Sequence, residues 1–69
     1  MKQRSFPLFT VSEKAARSIQ GGHPWVYDTE VQDAPVVENG ALVDVVSPKG
    51  RYLGTGFVSL KSKIRVRLV

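Results

Sequence analysis

The last nine residues, KSKIRVRLV, alternate strictly, with Ile64, Val66 and Leu68 set against Lys63, Arg65 and Arg67. Side chains along a strand point to opposite faces with a period of two, so this segment reads as a β-strand with one aliphatic and one cationic face. Such a strand needs others to pair with and a core to cover its aliphatic side, which commits the chain to a sheet. Partners stand immediately upstream. ALVDVV (41–46) is a dense β-branched run. Ser47, Pro48, Lys49 and Gly50 then fit a type I turn, and RYLGTGFVSL returns as the second arm of a hairpin. Gly54 and Gly56 share one face of that arm. Glycine weakens strand interiors, so the pair marks a bend, a bulge or another backbone passing close.

The first half is less regular. FPLFTV (6–11) reads as a short strand starting after Pro7. Thr10 and Glu13 stand in capping-box spacing, with Ser12 as a competing N-cap, and EKAARSIQ places Ala15, Ala16 and Ile19 on one face. A short helix over residues 12–20 follows, ended by Gly21 and Gly22 through the left-handed conformation. GGHPWVYDTEV comes next, and VQDAPVVENG is a loop carrying at most one short strand. Strands dominate, one helix lies near the start, and glycines sit where a sheet would have to coil. The expected fold is mainly β with one short N-terminal helix, a small, partly closed β-barrel whose helix covers one opening.

A chain of 69 residues holds a single domain, here 1–69, and buries only about 60% of its unfolded surface. It has no cysteine, which excludes a disulfide framework, a thiolate metal site and a cysteine nucleophile. With one histidine there is no ligand set for zinc, and no metal is expected. Residues 1–4 are charged but no long apolar run follows, so neither a signal peptide nor a membrane span is expected and the cytoplasm is the default compartment. The alternation at the end runs to Val69 without a stop signal, which reads as a piece of a longer protein.

Charge narrows the partner. The net charge is +4, yet five of the six acids lie between Asp28 and Asp44 and none comes later. Lys49, Arg51, Lys61, Lys63, Arg65 and Arg67 crowd the remaining stretch without compensation. Lys63, Arg65 and Arg67 would project about every 6–7 Å along one face, comparable to the phosphate spacing of a nucleic acid strand. Edge protection usually takes one or two lysines, whereas arginine is favoured for phosphate recognition, so a polyanion is the expected partner. Arg17 on the helix extends the cationic set. Trp25 and Tyr27 are two apart and share one side of an extended segment. A domain this small is expected to use its only tryptophan in the core, leaving Tyr27 and His23, with polar tips, as surface candidates. Catalysis is not expected from this chain alone, because His23 has no evident partner and there is no glycine-rich cofactor loop.

GGHPWVYDTEV, then ALVDVVSPKGRYLGTGF, then KSKIRVRLV, in this order and spacing, resemble the N-terminal PUA domain of RlmI-type methyltransferases. His23-Pro24-Trp25 after glycine is the most specific element. Gly50-x-x-Leu53-Gly54-x-Gly56 and Ile64-x-Val66-Arg67-Leu68 support it, and the likeness runs from about Phe9 to Val69. Family members often carry Asn-Pro before the serine of the last loop, where this chain has Ser59-Leu60-Lys61-Ser62. The resemblance implies a PUA pseudo-barrel that binds RNA. It further implies downstream domains, including a Rossmann-like, S-adenosylmethionine-dependent one that modifies cytosine C5 of large-subunit ribosomal RNA. The cofactor and the family's catalytic cysteine belong to that later domain. The rival expectation is a protein-interaction barrel docking an acidic partner or its own catalytic domain.

Overall fold

The computed structural model describes residues 6–69, so the charged start at residues 1–4 considered above lies outside the described residues. The elements run β1 (Leu8–Val11), α1 (Glu13–Gln20), β2 (Trp25–Tyr27), β3 (Val31–Asp33), β4 (Leu42–Val46), β5 (Tyr52–Val58) and β6 (Ile64–Leu68). All six strands form one sheet in the order β2-β6-β5-β4-β1-β3. β1 runs parallel to β4, and the other pairings are antiparallel.

That order forces the sheet to curl. Laid flat, its two outer strands would stand about 24 Å apart, five spacings of about 4.8 Å. Those outer strands are β2 and β3, yet only one 3-10 turn, Asp28–Glu30, joins Tyr27 to Val31. Four Cα steps of about 3.8 Å reach about 15 Å at most. The edges therefore approach each other, and the sheet becomes a half-barrel, in agreement with the pseudo-barrel expected from the sequence.

β6 needs a glycine partner to make this approach. A Cβ on Gly56 would collide with the Arg67 carbonyl oxygen, and would lie 2.7 Å from the Arg67 carbonyl carbon and 2.9 Å from Leu68 Cα. Of the three readings open for the paired glycines, a close-passing backbone is the one that holds at Gly56. Gly54 has only the Leu68 methyls nearby, at 3.5 and 3.8 Å.

The helix starts where a serine can hold it. Ser12 Oγ accepts from Ala15 N at 3.1 Å, so Ser12 and not Thr10 is the N-cap. At the other end only Gly22 takes a positive φ, +101°, while Gly21 stays at −82°. Ala15 and Ala16 are buried against the sheet. No helix among the described residues is long and apolar enough to cross a membrane.

The core is made of small side chains. Val11, Val26, Val43, Val45, Val58 and Val66 are all at most 2% exposed, joined by Phe9, Ala15 and Ala16. Trp25 is not among them. It is 38% exposed, which corrects the expectation that it lies in the core. Its neighbour Val26 takes the inward position, opposite Val66. Because faces alternate, Trp25 and Tyr27 must then both point outward. They do share a side, but it is the solvent side.

Candidate nucleic-acid interface

α1 and the β4–β5 turn bring three of the expected cations together. Arg17, Lys49 and Arg51 line a concavity of about 330 Å³ with Glu13, Ala16, Gln20 and Ser47. The turn is held by its first residue. Ser47 N donates to the Arg51 carbonyl at 2.9 Å, Gly50 N donates to the Ser47 carbonyl at 2.8 Å, and Gly50 takes φ +87°. Ser47 Oγ accepts from Arg51 N at 3.1 Å and from Lys49 N at 3.3 Å. Those bonds pin the backbone on either side of Gly50, so two long cationic side chains leave a fixed base. Glu13 is the one acid in the lining.

The expected row of Lys63, Arg65 and Arg67 is split. Register shifts between Val26 and Tyr27, which pair with Val66 and Ile64, so Arg65 is the extra residue of a bulge. It lines a second concavity, of about 410 Å³, with Phe9, Asp28, Val31, Leu60 and residues 34–37. There its guanidinium lies 3.8 Å from an Asp28 carboxylate oxygen and donates to the Ser59 carbonyl at 3.3 Å. Lys63 precedes β6 and is exposed, as is Lys61 in the same connection. That connection is tied down by Asp28 N donating to the Lys63 carbonyl at 2.8 Å and Leu60 N donating to Asn39 Oδ1 at 2.8 Å.

Arg67 faces outward with aromatic company. Its guanidinium carbon lies 5.9 Å from the Trp25 ring centroid, and His23 meets the same tryptophan edge-on at 5.6 Å. Tyr27 is exposed, its backbone N donating to Glu30 Oε1 at 2.9 Å. Across β6 from Trp25, the exposed Phe57 pairs with the same Arg67. Sequence reading did not single out Phe57, although its alternation with buried Gly56 and Val58 marks it as outward.

The cations and the histidine named from the sequence thus fall into three groups, and Tyr27 stands exposed outside them. Arg17, Lys49 and Arg51 converge. Arg67 and His23 gather around Trp25, and Lys61 and Lys63 stand apart at the β5–β6 connection, with Arg65 engaged by Asp28.

A family model described as a PUA-like domain matches residues 9–69. The chain is similar to ribosomal RNA large subunit methyltransferase I of Shewanella denitrificans, at 39% identity over 54 residues, covering 75% of this chain and 14% of that protein. The same-named protein of Alteromonas mediterranea is 40% identical over 53 residues, covering 75% of this chain and 13% of its own length. The chain therefore spans about one seventh of the curated relatives it matches. Among solved structures it resembles NSun6 from Pyrococcus horikoshii, crystallised with SFG, at a TM-score of 0.83 and 22% identity, over 99% of this chain and 20% of that one. At that identity the likeness is one of fold. With the family model spanning nearly the whole sequence and the curled six-stranded sheet in place, this chain belongs to the PUA-like domain family.

Proposed function

We propose that this chain is an RNA-binding module that positions ribosomal RNA for an S-adenosylmethionine-dependent, cytosine-C5 methyltransferase domain of the same polypeptide. The observation that carries the RNA reading is the convergence of Arg17, Lys49 and Arg51 on one concavity between α1 and the β4–β5 turn. Kinship with two ribosomal RNA methyltransferases supports the choice of RNA among polyanions. Contacts of this kind are made to phosphate and fix affinity and register rather than base identity. The cofactor would be held elsewhere, because α1 is entered through Val11 and Ser12 rather than through a glycine-rich loop.

Three phosphates neutralised on single-stranded RNA give log K a slope near −2 against log salt, a roughly 20-fold loss between 50 and 200 mM. Charge reversal at Arg17 or Arg51 should weaken every RNA tested and flatten that slope. A slope of zero, or affinity indifferent to both reversals, would remove the reading. Localisation in the cytoplasm, where ribosomal RNA is met, belongs to the same proposal.

A second reading has its own support. Phe9, Val31, Val37 and Leu60 line the larger concavity apolarly, and Val36 beside them is fully exposed. That groove fits an extended apolar segment of a protein partner or of the chain's own catalytic domain. Binding to such a domain that survives Arg17 and Arg51 reversal but fails on Val36→Asp would favour docking there.

A further inference from the structure

Three flat groups stand in one row across the outer face of the sheet. Phe57 of β5 and Trp25 of β2 are both register partners of Arg67 in the strand between them. Adjacent strands lie about 4.8 Å apart, so the two rings rise from backbones about 10 Å apart with a guanidinium group in the middle. Trp25 is 38% and Phe57 48% exposed, and Arg67 makes no ion pair among the described residues. His23 braces the tryptophan edge-on, at an interplanar angle of 62°. Pairing across strands accounts for the contacts in this row but not for its exposure, since Val26, Val58 and Val66 already supply the burial.

We propose that this row is a stacking platform for unpaired RNA bases, with Trp25 and Phe57 as the ring surfaces and Arg67 holding the phosphate between them. The proposal rests on the RNA-binding reading above and adds a second, base-contacting surface to the phosphate-holding concavity. The chemistry favours a nucleic acid over a protein partner. Every base offers a π face, and small sheets that hold single strands stack two or three bases on exposed strand aromatics. Electrostatics agree. Arg67 is the exposed cation of β6, Arg65 being engaged by Asp28. Phe57 lies two residues before the connection that carries the exposed Lys61 and Lys63. A folded duplex, whose bases are already stacked, would find nothing to do here.

Trp25 is the only tryptophan in the chain, so its fluorescence reads this site alone. The chain is titrated with single-stranded octaadenylate and, separately, with a blunt RNA duplex, following binding by the anisotropy of labelled RNA and stacking by tryptophan emission. Octaadenylate should quench Trp25 and the duplex should not. Phe57→Leu, which keeps an apolar side chain at an exposed position, should weaken octaadenylate at least about fivefold while leaving duplex affinity unchanged. Quenching in the unaltered chain is informative whatever the variant does to folding. Octaadenylate that binds with Trp25 emission unchanged overturns the proposal, leaving RNA binding itself intact and the row facing protein. Equal losses for both RNAs on Phe57→Leu overturn it too. If neither RNA binds, the underlying functional reading falls, and the platform with it.

Discussion

Gly56→Ala adds one carbon where β6 crosses β5. The added Cβ would meet the Arg67 carbonyl group and Leu68 Cα, with 2.7 and 2.9 Å to the two carbons. These are backbone atoms held in the ladder by the pairing of Gly56 with Leu68 and of Phe57 with Arg67, so no side chain can swing aside. Relief requires β6 to move, and overpacking of this kind costs about 1–3 kcal/mol. Restricting the unfolded chain by replacing glycine returns about 0.4–1 kcal/mol. The net expectation is a loss of about 1.3 kcal/mol, which in a domain this size lowers the thermal midpoint by about 5–10 °C. Gly54→Ala is the matched control. Its Cβ would meet only the Leu68 methyls at 3.5 Å or more, an ordinary contact, so it should stay within about 0.5 kcal/mol of the parent or gain slightly. Thermal unfolding of both variants, followed by circular dichroism in one buffer, compares them directly. Equal midpoints would refute the claim that backbone proximity at Gly56 shapes the curl.

Further outcomes follow from buried and half-buried polar groups. Asp44 is 1% exposed, and its Oδ1 accepts from Thr55 Oγ1 at 2.6 Å, so Thr55→Val should cost about 1–3 kcal/mol in urea unfolding by removing a donor from a buried carboxylate. Asp28→Asn should change stability by less than about 1 kcal/mol, because its ion pair with Arg65 is long and partly in water. The same substitution should raise RNA affinity in an anisotropy titration by freeing Arg65, and lowered affinity would show that Asp28 holds Arg65 in its working position.

The strands were legible because their periodicity is simple. ALVDVV, the turn at residues 47–50, the glycine-marked arm and the alternating tail appear at the expected places, and so does the helix, though its cap is the competing Ser12 rather than Thr10. Tryptophan failed for a physical reason. Size argued for burial, but the interior of a curled six-stranded sheet is narrow, and the positions facing it are filled by valines. WVYD offers one inward place between two aromatics, and Val26 fits it. The order of strands was not legible either. Pairing of β1 with β4 across an intervening helix and two strands is fixed by closure of the whole sheet, which no local pattern records.

The cationic tail makes the same point about function. Six bases crowded after Asp44 look like one surface, yet the turn at residues 47–50 and the connection at residues 59–63 close opposite ends of β5. Seven residues of strand set those ends about 23 Å apart. A bulge then removes Arg65 from the row of Arg67 and delivers it to Asp28. What the turn receives in exchange is Arg17, a residue far away in sequence, carried there by α1. Charge density along a chain therefore predicts the sign of a partner, while the curl of the sheet decides which charges can hold it together. Here that curl sets Lys49 and Arg51 beside the helix and leaves Arg67 between two rings, so phosphate and base would be met by different parts of the same small barrel.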